Sequence, residues 1–363
     1  MKVLYFIENL GPGGKERRLV ELIKKLSQYP DIDIEIVLMS KEIHYTDILD
    51  LDVRIHYAIR NKWKKDPRIL FKFFNIVRKV KPDLIHVWGN MVAIYSLPAR
   101  LLLGGVLINS QITDSPINVS FGLLGPKLTF PVSDKILANS YAGLKTYNAP
   151  TKKSSVIYNG FDFQRLANLT DKQEIRSKFN ITTPMVVGMV ATFYPKKDYA
   201  TYLEAAQKVL ETRTDVTFLC IGGGNAEPLK ATVNPKWKSN ILFLGSQSGV
   251  ESIMNVCDIG VLCTNTHLHG EGISNALLEF CALGIPVLAT DNGGTPEIIE
   301  HDQTGYLLKT HDSVDLTERL TDLLGDENKR EQFGKAGQLL VQNKFSIQQM
   351  IDSFYKTYKE LFK

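Results

Sequence analysis

The sequence predicts an α/β protein built from two doubly wound domains. Three observations predict this class: a length of 363 residues, short apolar runs alternating with amphipathic stretches, and a lapse of that alternation near residues 159–170. A chain of this length exceeds one ordinary core and suits two domains of roughly 100–200 residues each. Strands that alternate with helices indicate parallel sheets covered on both faces.

Residues 1–165 are predicted to form the first domain. An apolar run at residues 3–7 predicts a buried strand, and apolar side chains at helical spacing predict helices over 15–26 and 68–80. Further strands are predicted at residues 34–39, 84–88, 106–111, 135–138 and 155–158. The order of these elements indicates one parallel sheet.

Residues 166–344 repeat this organisation and are predicted to form the second domain. Strands are predicted at residues 185–190, 216–221, 241–244, 259–263 and 286–289, and helices at 199–210, 250–256 and 274–283. The last segment, residues 345–363, carries apolar side chains at helical spacing and predicts a C-terminal helix.

Composition and charge exclude several classes of protein. Hydrophobic residues make up 44% and charged residues 23%, which excludes a disordered tail, a collagen-like fibre and a small disulfide scaffold. The net charge of +4 hides a division between the two halves. Residues 1–160 carry a net charge of +9, and residues 161–363 carry a net charge of −5. This asymmetry indicates two domains with different partners.

The cysteines and the apolar segments indicate a cytoplasmic protein. All four cysteines lie in the second half without C-x-x-C spacing and are predicted to be reduced core residues. The apolar start of the chain is too short for a signal peptide. The longest apolar stretch, residues 91–108, is interrupted by Pro98 and Arg100, so no transmembrane helix is expected. Any membrane contact would be peripheral.

The first candidate site is the glycine-rich segment Gly11-Pro12-Gly13-Gly14, between a predicted strand and a predicted helix. Glycines let backbone N–H groups approach an anion, and a helix N-terminus adds partial positive charge. The segment matches neither a G-x-G-x-x-G fingerprint nor a P-loop. By itself it is equally compatible with a plain tight turn.

The second and third candidate sites lie in the second domain. Glu271 and Glu279 flank Ser274, a good N-cap for the helix predicted there, so a phosphate and sugar hydroxyls could be bound together. Lys197, beside Lys196, follows a predicted strand, where a cation could meet a diphosphate. The alternatives are that Glu279 is an ordinary helix surface residue and that the lysines are merely solvated.

At this point the chain resembles a known family, the retaining nucleotide-sugar glycosyltransferases of family four, also called glycosyl transferases group 1. The resemblance rests on the order and spacing of motifs along nearly the whole chain. These are Gly13-Gly14-Lys15-Glu16, Lys81-Pro82-Asp83-Leu84-Ile85-His86, Asn159-Gly160-Phe161-Asp162, Lys197-Asp198, Ile221-Gly222-Gly223-Gly224, Glu271 to Glu279, Gly284-Ile285-Pro286-Val287 and Gly293-Gly294-Thr295-Pro296-Glu297.

The resemblance implies a GT-B fold, in which two Rossmann-like domains face a central cleft and a C-terminal helix crosses back to the first domain. It also implies a catalytic role for Lys197, which neutralises the departing diphosphate, and for Glu271, which holds the transferred sugar. Glu279 would bind the ribose hydroxyls. The remaining implied donor-binding residues are Gly13, Gly14, Gly222, Gly224, Gly245, Ser246, Gly272, Ile273 and Ser274. The family needs no cofactor and no metal.

The chain departs from the family pattern at residues expected to bind the diphosphate and the acceptor. Many members have an arginine where this chain has Thr192, so Lys196 or another cation would have to compensate. Many also carry a His-x-His motif, where this chain has His86-Val87-Trp88, and a histidine after the next strand, which is missing here. The predicted acceptor-binding residues are His86, Trp88, Asn90, Gln111, Thr113 and Asp114.

Two patterns could suggest a metal site, and both have plainer interpretations. The triplets Asp31-Ile32-Asp33 and Asp50-Leu51-Asp52 border predicted strands far from the donor motifs and are interpreted as turn and strand-edge residues. His267 and His269 are interpreted as solvated loop histidines. No metal is therefore expected.

The predicted function is transfer of a sugar, with retention, from a UDP-, GDP- or ADP-sugar to a glycan or polyprenyl-diphosphate-linked acceptor. The transfer would belong to the synthesis of a cell-surface polysaccharide such as lipopolysaccharide or capsule.

The basic segment Lys62-Trp63-Lys64-Lys65, followed by Arg68, Phe71, Lys72, Phe73 and Phe74, predicts peripheral contact with an anionic membrane on its cytoplasmic face. A solvated helix face over a core stripe is the alternative there. No nucleic-acid partner is expected. Two other functions stay open: a nucleotide-sugar isomerase or hydrolase of the same architecture, and a nucleotide-sugar-binding protein with impaired catalysis.

Overall fold

The computed structural model describes residues 1–61, 65–116 and 124–362. Its backbone divides into two compact units. The first unit comprises Met1–Gly160 and Gln348–Lys363, and the second comprises Phe161–Ile347. The sequence predicted boundaries at residues 165 and 344 and treated the last segment separately.

The first unit is built on a seven-stranded parallel sheet in the order β3-β2-β1-β4-β5-β6-β7. The strands are β1 (Lys2–Ile7), β2 (Asp33–Leu38), β3 (Arg54–Tyr57), β4 (Leu84–Trp88), β5 (Val106–Ile112), β6 (Lys135–Ala138) and β7 (Ser154–Val156). The central strands are apolar runs buried along nearly their whole length, because helices cover both faces of a parallel sheet.

In the part of the first unit that the structure describes, five helices follow the strands. They are α1 (Gly14–Leu26), α2 (Arg68–Val80), α3 (Asn90–Leu103), α4 (Leu124–Thr129) and α5 (Tyr141–Thr146). Helix α1 buries one apolar face against the sheet. On α2, Phe73 stacks on Phe6 of β1, with ring centroids 4.1 Å apart and an interplanar angle of 8°. The helices therefore pack as the apolar periodicity predicts.

The second unit is built on a six-stranded parallel sheet in the order β10-β9-β8-β11-β12-β13. The strands are β8 (Met185–Val190), β9 (Val216–Ile221), β10 (Ile241–Gly245), β11 (Ile259–Leu262), β12 (Val287–Thr290) and β13 (Gly305–Leu308). The strand order reverses between β8 and β11. Loops at the carboxyl ends of strands beside such a switch point are where doubly wound sheets bind ligands.

Seven helices belong to the second unit. They are α6 (Lys172–Lys178), α7 (Tyr199–Thr212), α8 (Glu227–Lys230), α9 (Val250–Met254), α10 (Asn275–Ala282), α11 (Ser313–Gly325) and α12 (Glu327–Lys344). Several begin at a side chain that caps the helix. Asp198, for example, accepts a hydrogen bond from the backbone N–H of Thr201 at the start of α7.

The last helix, α13 (Ile347–Leu361), returns to the first unit. Its Tyr358 hydroxyl lies 2.9 Å from the Tyr5 hydroxyl on β1 and 2.7 Å from Nδ1 of His86 on β4. Phe354 packs beside the same histidine ring. This confirms the expectation, implied by the family resemblance, that the C-terminal helix crosses back to the first domain.

Helix α2 and strands β4, β6, β8 and β9 begin and end where the sequence predicts. Two short outer strands, β3 and β13, were not predicted, because half-buried or glycine-started edge strands carry little apolar periodicity. The stretch at residues 91–108 divides into α3 and β5, with Pro98 accommodated inside the helix.

The cysteines and the hydropathy of the helices agree with the sequence analysis. All four cysteines are buried in the second unit and none forms a disulfide bond, as predicted for reduced core residues. Across the three described ranges of the chain, no helix combines the length and the apolar character that crossing a bilayer requires.

Candidate functional site

Lys197 lies in the loop between β8 and α7, at the carboxyl edge of the second sheet. The backbone of this loop pairs with Thr264, which follows β11. The Lys197 ammonium donates a hydrogen bond to Oε1 of Glu271, and the lysine side chain is only 17% exposed. Lys196 and Thr192, in contrast, are exposed. The structure therefore brings together the two residues predicted to be catalytic.

Glu271 is a buried carboxylate that several groups hold. Oε1 also accepts a hydrogen bond from Oγ1 of Thr264 at 2.7 Å, and Oε2 lies 3.7 Å from Nε2 of His269. Burial acts to raise the pKa of the Glu271 carboxyl, but the charge of Lys197 and the nearby His269 outweigh it and hold that pKa well below its usual value. The carboxylate is therefore ionised at neutral pH and paired with a cation.

A second histidine, His311, approaches the same loop. Its Nδ1 lies 2.6 Å from Oδ2 of Asp198, the residue after Lys197. The ring of His267 stacks on His311, with centroids 4.8 Å apart. Asp198 also accepts a hydrogen bond from Oγ1 of Thr201 at 2.7 Å, so the loop that carries Lys197 is fixed from two sides.

Glu279 lies on α10, where its side chain is 4% exposed. Oε1 of Glu279 accepts a hydrogen bond from Nη2 of Arg165 at 2.9 Å, and the same guanidinium nitrogen donates to Glu251 on α9. The guanidinium of Arg165 also lies over the Phe161 ring, 4.9 Å from its centroid. Glu279 is thus held by an arginine and is no ordinary surface helix residue.

The predicted donor glycines lie where loops after β8, β9 and β10 approach one another closely. Gly222 and Gly224 have positive φ angles of 157° and 118°, and a Cβ atom on Gly222 would lie 1.9 Å from the carbonyl oxygen of Ala191. The N–H of Gly222 donates to the carbonyl of Gly245 at 2.9 Å. Only glycine fits this approach, and the exposed Ser246 follows at the same edge.

The segment between the two glutamates forms the start of α10. Gly272 and Ile273 are buried, and Ser274 is the N-cap residue, although its side chain makes no capping hydrogen bond. A helix N-terminus carries partial positive charge and therefore favours an anion such as a phosphate. Lys197, Glu271 and this helix start belong to one unit and form the core of the candidate site.

In the first unit, Gly13 and Gly14 form the start of α1. Gly13 is the N-cap residue, and its carbonyl accepts a hydrogen bond from the Tyr45 hydroxyl at 3.3 Å. A Cβ atom on Gly13 would lie 2.0 Å from a carboxylate oxygen of Glu16. The Glu16 carboxylate therefore already occupies the space beside this helix start, and an incoming anion would have to displace it.

His86 and Trp88, predicted to contact the acceptor, are fully buried in the core of the first unit. His86 lies between the Tyr358 hydroxyl and Oγ of Ser110, at 2.7 Å from each. Burial, with the nearby charge of Arg18, holds the pKa of the His86 imidazole well below its usual value. This placement favours a packing role for both residues over the acceptor contact expected from the sequence, because α13 covers them.

The other predicted acceptor residues lie near the carboxyl end of β5 and the start of α3. Nε2 of Gln111 donates to Oγ1 of Thr129 at 3.2 Å, and Asp114 accepts a hydrogen bond from the Tyr147 hydroxyl at 2.9 Å. The carbonyl of Thr113 accepts from Asn139. Asn90 is the exposed first residue of α3 and lies over Gly125 of α4. Acceptor binding by these residues stays a prediction.

The first aspartate triplet, Asp31-Ile32-Asp33, takes a structural position. Asp31 accepts hydrogen bonds from Tyr355 and Lys359 of α13, at 3.0 and 2.9 Å, and Asp33 begins β2. Within residues 1–61, 65–116 and 124–362, no group of three or more His, Cys, Asp or Glu side chains has a geometry that would hold a metal ion.

Sequence reasoning missed Arg165, Glu251 and His311 as residues of this site. Arg165 lies in the segment where the apolar pattern lapses, and nothing local marks it as a partner of a glutamate more than a hundred positions later. Thr264 gives a weak signal, because it directly follows a strand at the same edge as Glu271.

Comparison with known proteins identifies the family. Residues 171–340 match the family model described as glycosyl transferases group 1. The chain is 23% identical over 339 residues to N-acetyl-alpha-D-glucosaminyl L-malate synthase of Bacillus anthracis, covering 92% of this chain and 81% of that protein. It is also 23% identical over 314 residues to UDP-Gal:alpha-D-GlcNAc-diphosphoundecaprenol alpha-1,3-galactosyltransferase of Escherichia coli, covering 80% of each.

Among solved structures, Anabaena HepE in complex with UDP-glucose superposes with a TM-score of 0.84 at 18% identity, over 99% of this chain and 100% of that one. The likeness confirms the GT-B architecture predicted from the motifs. Fold, motif order and family match agree: residues 171–340, in the second unit, belong to the glycosyl transferases group 1 family, and the chain is a glycosyltransferase.

Proposed function

We propose that this glycosyltransferase moves a sugar, with retention of configuration, from a UDP-, GDP- or ADP-sugar to a glycan or polyprenyl-diphosphate-linked acceptor. The observation that carries the proposal is the buried pair of Lys197 and Glu271 beside the start of α10. UDP-glucose in the Anabaena structure and the undecaprenol-linked acceptor in the name of the Escherichia coli relative support the two substrate classes.

In this proposal, charge stabilisation provides most of the catalysis. Breaking the bond between sugar and diphosphate leaves an oxocarbenium-like sugar and an additional negative charge on the leaving group. A cation and backbone N–H groups fixed where that charge develops lower the barrier. Lys197 supplies the cation, Glu271 holds the sugar hydroxyls, and the leaving diphosphate takes the proton from the acceptor hydroxyl. No step requires a metal.

The ribose is assigned to Glu279, whose carboxylate accepts a hydrogen bond from Arg165. A carboxylate accepts hydrogen bonds from two adjacent hydroxyls, which matches the ribose diol. Gly222, Gly224, Gly245 and Ser246 would border the nucleobase. Gly13 and Gly14 are retained as predicted contacts of the donor phosphates. The acceptor and a place in polysaccharide synthesis on the cytoplasmic face of the membrane remain part of the proposal.

A thermal-shift panel of nucleotide sugars tests the donor assignment. A ligand present at about 100 times its dissociation constant stabilises a protein by about 2.7 kcal/mol, which is easily measured. We expect one of the UDP-, GDP- or ADP-sugars to raise the melting temperature. The absence of a shift with all three classes would overturn the donor assignment.

Paired variants then separate donor binding from turnover. Glu279→Ala is expected to weaken nucleotide binding, and Lys197→Ala is expected chiefly to lower turnover. Glu318→Ala, an exposed glutamate on α11, is the matched control and should change neither. Nucleotide-sugar consumption without any acceptor would favour the isomerase or hydrolase alternative. Binding with no transfer to any acceptor in a cell lysate would favour an impaired binding protein.

A further inference from the structure

Three consecutive leucines protrude from the end of α3. Leu101, Leu102 and Leu103 are 65%, 74% and 41% exposed, and Leu128 on the adjacent helix α4 is 47% exposed. The helix ends at Gly104, whose φ of 74° turns the chain away and leaves the leucines at the tip. Single exposed leucines are common, whereas a contiguous exposed apolar group is typical of a surface that binds a protein, a membrane or a ligand. Leu101, Leu102 and Leu103 are called the leucine patch.

A cavity of about 550 Å³ borders the leucine patch and mixes apolar and basic walls. Leu101, Pro131 and Val132 supply apolar walls, and Lys153 lines the same space. The Lys153 ammonium donates hydrogen bonds to the carbonyls of Pro131 and Ser133, at 2.9 Å each, which fixes its charge beside the patch.

The three helices on this side of the first unit carry positive charge only. Helices α2, α3 and α4 contain no aspartate or glutamate, and their basic residues are Arg68, Lys72, Arg78, Lys79, Arg100 and Lys127. The nearby carboxylates are used internally. Asp83 accepts a hydrogen bond from the N–H of Lys2, and Asp134 pairs with Arg100 at 2.9 Å. The patch therefore faces solvent with a basic surround.

We infer that the leucine patch inserts into the interfacial layer of an anionic lipid bilayer, with the surrounding lysines on the lipid headgroups. Aliphatic side chains at a helix tip combined with cations are the pattern that binds such an interface. A second copy of the chain fits less well, because a two-fold contact through this patch would bring like-charged surrounds together. The inference rests on the membrane location in the proposed function and is independent of the donor assignment.

This surface differs from the membrane segment predicted from the sequence. Lys62, Trp63 and Lys64 lie outside the described residues. The prediction that Phe73 contributes to membrane contact is wrong, because Phe73 is buried against Phe6 in the core. Phe71, at 72% exposed, lies on the outer face of α2, which packs against α3.

Vesicle flotation tests the inference with the full-length protein. The wild type is expected to float with phosphatidylcholine vesicles that contain phosphatidylglycerol, and to float less in high salt, because salt screens the headgroup charge. The double variant Leu101→Asp, Leu102→Asp is expected to lose about a hundredfold in partitioning, because two apolar insertions are removed. Lys79→Gln and Lys127→Gln should each lose about fivefold on anionic vesicles.

Leu339→Asp is the matched control, since Leu339 on α12 of the second unit is 56% exposed and should not affect flotation. An unchanged nucleotide thermal shift in the patch variants would establish that they are folded with an intact donor site. Wild-type protein that does not float, or a double variant that floats like the wild type, would overturn the inference. A dimer in sedimentation that the double variant abolishes, without salt-sensitive flotation, would instead assign the patch to self-association.

Discussion

The guanidinium of Arg165 donates to Oε1 of Glu279 across 2.9 Å and simultaneously contacts Glu251. One arginine therefore orders two buried carboxylates, and one of these is the residue assigned to the ribose. A carboxylate whose rotamer is fixed before the ligand arrives loses less conformational freedom on binding. This arrangement suggests that Arg165 is a positioning residue for nucleotide recognition.

Replacing Arg165 with glutamine is expected to weaken nucleotide binding about tenfold, with a higher KM and a nearly unchanged kcat, because Glu279 is no longer held. The thermal-shift panel identifies the nucleoside diphosphate to use. Calorimetry with that nucleoside diphosphate and with its 2′,3′-dideoxy analogue measures the change in affinity. The variant should discriminate less between the two. Arg165→Lys should restore part of the difference, and Arg213→Gln, which removes a pair with Asp215, should behave like wild type. Full ribose discrimination in Arg165→Gln would contradict the positioning role.

Lys197→Met is expected to lower kcat by about a hundredfold or more, with a smaller change in nucleotide affinity, because in the proposed function the lysine stabilises charge that develops during bond breaking. Single-turnover assays of sugar transfer measure this change. Lys335→Met is the control, since Lys335 is an exposed lysine on α12 of the same unit and should leave kcat within about twofold of wild type. Equal losses in both variants would contradict a specific role for Lys197.

The same substitution should destabilise the second unit by about 1–3 kcal/mol at neutral pH, since it leaves the buried Glu271 carboxylate without its cation. The folded-state pKa of Glu271 is depressed, so the carboxylate contributes stability above its unfolded pKa. That contribution is lost as the pH falls through the folded value. The difference in unfolding free energy between Lys197→Met and wild type should therefore become smaller below about pH 4. Hydrogen exchange in β8 and β11 measures this difference in unfolding free energy. A difference that grows in acid would contradict the pairing of an ionised Glu271 with Lys197.

The first unit should lose stability in mild acid through His86. Because the pKa of the buried imidazole is depressed, the unfolded chain binds a proton first, and folding stability is lost as the pH falls below the unfolded value. From about pH 7.5 to about pH 5.5, this single group should cost about 1.4 kcal/mol. Hydrogen exchange in β4 and α13 should detect the loss in wild type but not in His86→Gln. An identical pH dependence in both proteins would exclude His86 as its source.

The four cysteines should be inert in the native protein. Burial raises the pKa of each thiol, that of Cys281 to about 12, so almost no thiolate forms at neutral pH. A disulfide reagent should therefore react with fewer than one thiol per chain in native buffer and with all four in denaturant. Rapid reaction of the native protein would show that one of these side chains is accessible.

Much of the fold could be predicted from the sequence, because burial leaves a local pattern. Helix α2 and strand β4 begin and end where apolar periodicity predicts, since each element must bury one face or both. The outer strand β3 was missed because its side chains are half-buried and show no clear alternation. The order of motifs along the chain singled out Lys197, Glu271 and Glu279 as candidate site residues. Patterns of local burial do not reveal such residues.

By itself, the sequence determined the two-sheet architecture, the family resemblance and the candidate donor residues, because strand and helix periods and motif spacing are local properties of the chain. Tertiary structure decided which partners those residues have. It brought Arg165 from a patternless segment to Glu279 and buried His86 and Trp88 under α13. It also left Leu101 and Leu102 exposed at a basic surface. Contacts between distant residues and the exposure of an apolar run depend on how elements pack, and no spacing along the chain encodes that packing.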